Sequence, residues 1–288
     1  MLFFIAILIL VGFIIKIALP QLLPISILLH QYCLSSSPVT NWQEYYQAIV
    51  CSSPLTMTNK YQQLKDLGLL HIIVVSGSHL IFLSQALSLL NSKFIEKVKP
   101  LLLFIFVLIG RMDPPLLRAF LFLMIHWFQK RNKLFYSHYQ TTLFSIVLCI
   151  TISPLWIHSI SLLLSWAASI GIHLGKNIYT KSFFCYITLA PLIVQFSSHS
   201  PLSILLNFSI TPFVSLILFP ASLLSFFVPI SFVVDFIWDI FFSLCRTIND
   251  RAYIPSNLNI SALKNSYQWL YLLLLNFILI ELKKRRII

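Results

Sequence analysis

A short apolar stretch from His71 to His79 carries two imidazoles, the hydroxyl of Ser76 and the glycine Gly77. Ser76 and His79 are three residues apart and would share one helical face, the pairing of hydroxyl and base that a serine hydrolase uses. The two histidines lie roughly 80° apart around a helix with no carboxylate beside them, so no metal site is expected. The segment is apolar enough to enter a bilayer, where placing polar groups costs free energy, so such groups are usually functional. They are candidates for lining a path or for shaping a helix break at Ser76-Gly77.

Arg118 is the second candidate, because it lies inside the apolar segment Pro114–Phe128, where an unpaired guanidinium is costly. Arginine forms bidentate contacts with phosphate, so the side chain could receive a passing phosphate. It could also tie helices together through backbone carbonyls, with Asp113 five residues earlier as a further partner. Arg111 is expected to be an interfacial cation.

Other polar residues in apolar segments have weaker cases. Asp235 and Asp239 share one helical face and repel each other unless a cation or a proton intervenes. Lining of a cavity and pairing with Arg118 both stay open for them. A histidine in an apolar helix is more often a hydrogen-bonded packing residue, and this reading is preferred for His126, His158 and His173.

The composition predicts the fold class. The chain is 58% hydrophobic and 10% charged, with a mean hydropathy of +0.89, which excludes an ordinary soluble domain and a disordered chain. Roughly ten apolar segments have spanning or half-spanning length. They predict an all-α fold, a polytopic integral membrane helical bundle of about eight to ten spans that includes broken or re-entrant helices. The segments on either side of Arg111-Met-Asp-Pro-Pro form either one re-entrant hairpin or two passes.

The formal net charge of +12 bears on topology before it bears on ligands, because Lys and Arg collect in short cytoplasmic loops. Four basic clusters are expected on the cytoplasmic side, at Lys93–Lys99, Lys130–Lys133, Lys176–Lys181 and Lys283–Arg286. Both termini then lie in the cytoplasm. The segment Leu2–Leu19 is expected to be a retained anchor, and the loop Pro20–Asp66 is expected outside.

Cys33 and Cys51 share that outside loop. An oxidising compartment would permit a disulfide between them, and two free thiols remain the alternative. The other cysteines lie in or beside apolar segments, where a thiol behaves as a small hydrophobic group.

Motifs of common enzymes are absent from the sequence. Gly171-Ile-His-Leu-Gly-Lys176-Asn is one residue too short for a P-loop and lacks the following Ser or Thr. No His-x-His-x-Asp-His run is present to hold two metal ions. We therefore expect neither an ATPase nor a nuclease, and no cofactor.

Four elements, in order between Gly68 and Pro229, resemble signatures of the ComEC competence family, the polytopic channel of bacterial DNA uptake. The first two are Gly68-Leu-Leu-His71 with Val-Val-Ser76-Gly77-Ser-His79, similar to "GLxHLLAISGLHV", and Leu116-Leu-Arg118-Ala119 after Pro115, similar to "SPSVLRA". The others are Ser165-Trp-Ala-Ala-Ser-Ile-Gly171, similar to "LSFAAVAG", and Asn207 with Thr211-Pro212 and Pro220, similar to "NLLAVPLVSLLLP". Ser78 replaces the family's usual leucine, and Leu163 replaces a common glutamine.

The resemblance implies an inner-membrane channel that passes single-stranded DNA into the cytoplasm during natural transformation, in a short form without the family's nuclease domain. Residues 1–66 would be the N-terminal anchor and external loop, and residues 67–288 the competence transmembrane domain. The implied partners are the bilayer, single-stranded DNA, an external DNA receptor, a cytoplasmic motor or single-strand-binding protein, and a second copy of the chain. The path or helix-break candidates are His71, Ser76, Gly77, His79, Arg111, Asp113, Arg118, Asn207 and Pro212. An intramembrane serine hydrolase and a small-solute transporter are the alternatives.

Overall fold

The computed structural model describes residues 2–67, 69–73, 77–90, 92–134, 136–193, 210, 212–251 and 265–284. Within these residues the regular secondary structure is helical and no strand occurs, which confirms the all-α prediction. In chain order the helices are α1 (Leu2–Ser35), α2 (Gln43–Tyr46), α3 (Asn59–Asp66), α4 (Leu70–Ile73), α5 (Gly77–Leu89), α6 (Lys93–Ile109), α7 (Pro114–Arg131), α8 (His138–Ile152), α9 (Ile160–Leu174), α10 (Ile178–Ile193), α11 (Phe219–Leu224), α12 (Ser231–Arg251) and α13 (Asn265–Lys284). Two π-helical turns, Gln47–Cys51 and Val214–Leu218, and the 3₁₀ turn Pro154–His158 lie between them.

The chain divides into two compact units. The first contains the described residues within 1–23, 114–195 and 261–288, and the second those within 24–113 and 196–260. The boundary expected at residue 66 rests on the family resemblance, and residues on both sides of it lie in the second unit.

The first unit is built from α7 to α10 and α13, which pack against one another. A capping box starts α8, because the Ser137 hydroxyl accepts from the backbone N–H of Gln140 while the Gln140 side chain accepts from the backbone N–H of Ser137. Gly171 lets α9 and α10 approach closely, since a methyl group there would lie 2.6 Å from both the Cys185 nitrogen and the Phe184 carbonyl oxygen.

Two buried amide side chains of the first unit are paired across helices. The Asn276 amide donates to the Tyr139 carbonyl at 3.1 Å and accepts from the Trp166 indole at 3.0 Å. The Gln129 amide donates to the Thr141 hydroxyl at 3.0 Å. Since an unpaired polar group in an apolar interior costs about 1 to 3 kcal/mol, these contacts specify which helices meet.

The second unit packs α5 against α6 and against the π-helical turn Val214–Leu218, while α12 packs against α3 and α11. It contains a buried aromatic cluster. The Trp42 ring stacks on Phe242 with centroids 4.8 Å apart, and the Tyr45 ring lies 5.4 Å from that of Trp238. Ring pairs of this kind add stabilisation beyond the apolar area that they bury.

Helix α1 extends beyond the expected anchor. The expected end at Leu19 and the long loop from Pro20 are wrong, because the helix continues through Pro20 to Ser35. Tertiary contacts stabilise the added part: the Ser26 hydroxyl donates to the Leu108 carbonyl at 2.8 Å, and Nδ1 of His30 donates to the Ile109 carbonyl at 2.9 Å. Both carbonyls belong to the last turn of α6, where backbone acceptors lack partners within the helix.

One helix in the described part of the chain is long and apolar enough to cross a bilayer, judged by length and composition. It is Leu10–Ser35, with 26 residues and a mean hydropathy of 1.9. Shorter apolar helices are His138–Ile152, Ile160–Leu174, Phe183–Leu192, Val214–Leu224 and Tyr267–Leu282.

Candidate functional site

Arg118 lies in the core of the first unit, with only 3% of its surface exposed. It follows the Pro114-Pro115 start of α7, where Leu117 and Ala119 are also buried. Its Nε donates to the Ser165 hydroxyl of α9 at 2.9 Å. The structure therefore joins two of the motif elements that resemble the competence family.

The guanidinium of Arg118 is only partly satisfied. Its Nη1 has no hydrogen-bond partner within the described residues and is buried. A guanidinium has five N–H donors, and a buried donor without an acceptor is costly. The Ser165 hydroxyl is a side-chain acceptor on another helix, which differs from the tie to backbone carbonyls considered from the sequence. The arrangement leaves a buried cationic donor with spare capacity for an anion.

The apolar His71–His79 stretch falls in the second unit. His79 is fully buried in α5, and its ring lies 4.5 Å from the Phe219 ring of α11. Gly77 is buried at the start of α5, four residues after Ile73, the last residue of α4. Ser76, the side chain of His71, and Asn207 lie outside the described residues. The pairing of Ser76 with His79 therefore stays a prediction.

Arg111 and Asp113 form a turn between α6 and α7. Arg111 is exposed with a φ of 55°, a left-handed conformation that is uncommon for residues with a side chain. The Asp113 carboxylate accepts a hydrogen bond from the Ser52 hydroxyl. Burial raises the pKa of Asp113, while the Ser52 hydroxyl and the nearby Arg111 and His30 side chains oppose that rise. Pro212 is half-buried just before the second π-helical turn.

Cys33 and Cys51 are joined by a disulfide with a Cα–Cα distance of 5.9 Å. The bond connects the end of α1 to the first π-helical turn. Cys149, Cys185 and Cys245 are free thiols, of which Cys149 and Cys245 are buried.

Asp235 and Asp239 line a pocket of about 480 Å³ in the second unit, together with Asn41, Trp42 and Lys60. Asp239 accepts from the Trp42 indole at 3.1 Å, and the Lys60 ammonium lies 3.5 Å above the Trp42 ring. Asp235 accepts from the Tyr46 hydroxyl at 2.9 Å. The sequence left two roles open for these aspartates, and the structure shows one of them, the lining of a cavity.

Burial and charge act on the titrating groups of this pocket. Burial lowers the pKa of Lys60, and the nearby Asp239 opposes that shift. Burial and the hydrogen bond to Asp235 raise the pKa of Tyr46 above its usual range. The sequence analysis missed Trp42, Tyr46 and Lys60, since only the spacing of the two aspartates pointed to this place.

No group of three or more His, Cys, Asp or Glu side chains is arranged to hold a metal ion in the described ranges. The polar residues there offer hydrogen bonds, ring faces and positive charge. Such groups can bind and guide a ligand without a bound metal.

A sequence model of the family described as "Competence protein" matches residues 54–284 of the chain. No curated protein and no solved structure matches it. The match covers more than half of the chain and includes all four of the motif elements, so the resemblance to the ComEC competence family is confirmed. With Arg118 and Ser165 brought together from two of these elements, the chain belongs to the competence protein family, whose members are membrane-associated and act in DNA uptake.

Proposed function

We propose that this protein conducts single-stranded DNA across the inner membrane during natural transformation. Family membership supports DNA uptake as the process. The buried Arg118 guanidinium, with one N–H group lacking a partner in the described structure, is the observation that supports a path for a polyanion.

The chemistry of Arg118 suits a transient phosphate contact. An arginine whose N–H groups are all paired within the protein would have to break a hydrogen bond to bind a phosphate. Arg118 pairs its Nε with Ser165 and has Nη1 left for another acceptor. A phosphate oxygen forms short, charge-assisted hydrogen bonds with such donors. Because the contact is to the backbone, it is independent of sequence, as DNA uptake requires.

In this proposal the protein is a multi-pass bundle with both termini in the cytoplasm. The overall composition, 58% hydrophobic, supports burial of much of the chain in lipid. The basic clusters support the orientation, because positive loops remain on the cytoplasmic side. Helices shorter than a full span, such as Ile160–Leu174, are compatible with a path lined by broken helices.

Conduction would be passive in this chain, since the sequence has no nucleotide-binding motif. Direction then has to come from a cytoplasmic motor or a single-strand-binding protein. An external receptor would deliver the strand to the outer side. These partners are part of the proposal.

The test compares two replacements of Arg118 in the natural host. Arg118→Met keeps the length and removes the charge and the donors, and should abolish transformation while the protein remains in the membrane. Arg118→Lys keeps a point charge without the planar fork and should retain partial transformation. Arg246→Met, at an exposed arginine of the second unit, is the matched control and should transform like the wild type.

Each variant needs two measurements, the amount of protein in the membrane and the transformation frequency. If both Arg118 variants lose protein in proportion to transformation, the arginine is a structural tie. Normal transformation by Arg118→Met at normal abundance would exclude a role for this charge in moving DNA.

A further inference from the structure

Three histidines gather around one phenylalanine in the first unit. The Phe122 ring lies 6.4 Å from those of His126 and His138 and 5.5 Å from that of His173. His138 and His173 stack with centroids 4.5 Å apart and planes 4° apart, and His126 lies 5.6 Å from His138. We call these three residues the imidazole cluster. The sequence reading of His126 and His173 as ordinary packing residues does not anticipate this grouping.

The imidazole cluster lies where three helices begin or end. His126 is near the end of α7, His138 is the first residue of α8, and His173 is next to the last residue of α9. His126 and His138 are exposed, and His173 is half-buried. Ring faces and ring nitrogens are therefore within reach of a ligand, while Phe122 supports them from the core.

The charges around the cluster are positive. The groups that act electrostatically on His173 are His138, Arg118, Lys181 and His126, all of them cationic or imidazole. From residue 114 to residue 195 the sequence contains no Asp or Glu. An anion is therefore attracted to this place.

The ring geometry also bears on whether the cluster suits a metal ion or a nucleotide. A metal ion needs nitrogen lone pairs that converge on one point, whereas His138 and His173 are stacked almost parallel. A base needs exposed flat rings, and a phosphate needs N–H donors and positive charge. The cluster and Lys181 supply both of the latter features.

We propose that the imidazole cluster is a binding site for one nucleotide of single-stranded DNA, with a base against the exposed His126 and His138 rings and its phosphate toward the imidazole N–H groups and Lys181. This inference rests on the proposed function and adds a second contact point beside Arg118. It assigns sequence-independent binding to the cluster, because every base has a ring face.

The test measures the Kd of the full-length protein, purified in lipid nanodiscs, for a fluorescent thymidine oligonucleotide by anisotropy. The double variant His126→Asn, His138→Asn removes both exposed rings and should weaken binding about tenfold, as expected for the loss of one stacked base. His126→Phe, His138→Phe keeps the ring faces and should lose less. His158→Asn changes an exposed histidine at the opposite end of α9 and should stay within about twofold of the wild type, as a surface change off the site should.

Lipid headgroups carry the same phosphate chemistry, so the measurement is repeated in nanodiscs of phosphatidylcholine alone and of phosphatidylcholine with phosphatidylglycerol. If the Asn double variant binds the oligonucleotide like the wild type in both lipids, while its melting temperature depends less on phosphatidylglycerol, the cluster binds lipid and the proposal is overturned. Equal affinity without any lipid effect overturns it as well.

If the wild type itself binds no oligonucleotide, the proposed function fails together with the inference. If the wild type and the double variant bind it equally well, only the inference fails. Melting curves show that each variant is folded.

Discussion

The two units differ most in charge. Over its sequence ranges the first unit has 12 Lys and Arg residues against one acidic residue, Glu281, which is a net charge of +11. The second unit has 8 against 7, which is a net charge of +1, and together they account for the +12 of the chain. Nearly all of the excess positive charge therefore belongs to one unit. A polyanion is therefore attracted to the first unit, whereas in the second unit positive and negative side chains nearly cancel each other.

The units also treat their polar groups differently. In the second unit, Asp113, Asp235 and Asp239 each accept a hydrogen bond from a neighbouring side chain of the same unit. In the first unit the buried Arg118 keeps an unpaired N–H group in the described structure. The second unit also has buried atoms without a hydrogen-bond partner in the described structure, such as Trp238 Nε1 and the Ser222 hydroxyl, but these side chains are neutral. The contrast is therefore one of charge, and the contact for an anion should be sought at the cationic donor of the first unit.

The means of stabilisation differ in the same way. The second unit has the Cys33–Cys51 disulfide and an aromatic cluster. The first unit depends on close helix packing, in which the Thr188 hydroxyl donates to the Ala167 carbonyl at 2.9 Å across α9 and α10. The following changes test these differences.

The largest effect is expected for Gly171→Ala, which adds a methyl group where α9 meets the backbone of α10. The neighbouring atoms are backbone and cannot rotate away, so we expect a loss of about 3 kcal/mol or more in the free energy of unfolding. Denaturant unfolding in detergent gives the value. Gly12→Ala is the control, because its methyl group would meet side-chain atoms and no backbone, those of Thr151 at 2.8 Å and of Leu148 at 3.5 Å, and should cost less. Equal stability of Gly171→Ala and the wild type would contradict the close packing.

The next effect is on the disulfide of the second unit. The bond closes a sequence separation of 18 residues, so its removal by Cys33→Ser, Cys51→Ser should cost about 2 to 3 kcal/mol. Reductant should lower the melting temperature of the wild type and leave that of the double variant unchanged. Cys245→Ser, at a free thiol, should keep the response of the wild type to reductant. If reductant breaks the disulfide of the wild type completely and its melting temperature does not change, the disulfide does not stabilise the second unit.

The smallest effect tests the charge difference. Lys130→Gln, four residues after His126 on α7, should weaken binding of single-stranded DNA a few-fold and reduce the slope of log K against log salt by about 0.7, the value for one phosphate contact. Lys60→Gln is the matched control in the second unit, where Asp239 and the Trp42 ring already engage the ammonium. Titrations at several salt concentrations provide both slopes. Equal slopes for the two variants would mean that the charge difference between the units has no part in DNA binding.

Much of the fold could be predicted because apolar composition and turn signals are local. The start of α7 at Pro114 follows from the pair of prolines, and the all-α class follows from long apolar segments. The end of α1 could not be predicted, since Pro20 is a local signal for ending a helix. Contacts from Ser26 and His30 to α6 overcome that signal, and they join residues far apart in the chain.

The candidate site shows the same limit. Arg118 is conspicuous in the sequence as a charge in an apolar segment, whereas its partner Ser165 is one hydroxyl among many. His126 and His173 are each unremarkable alone, and only the packing of α7, α8 and α9 brings them to the Phe122 ring. Nothing in the sequence around Lys60 indicates that its ammonium lies over the Trp42 ring.

By itself the sequence determined the helical class, the family and the excess of positive charge, because these depend on residue types, short motifs and order along the chain. The tertiary structure alone decided which donors have acceptors and which rings share a surface. Arg118 meets Ser165, and His138 meets His173, through helices that are distant in sequence. Such contacts depend on packing angles and on close approaches like that at Gly171, which composition and periodicity do not encode.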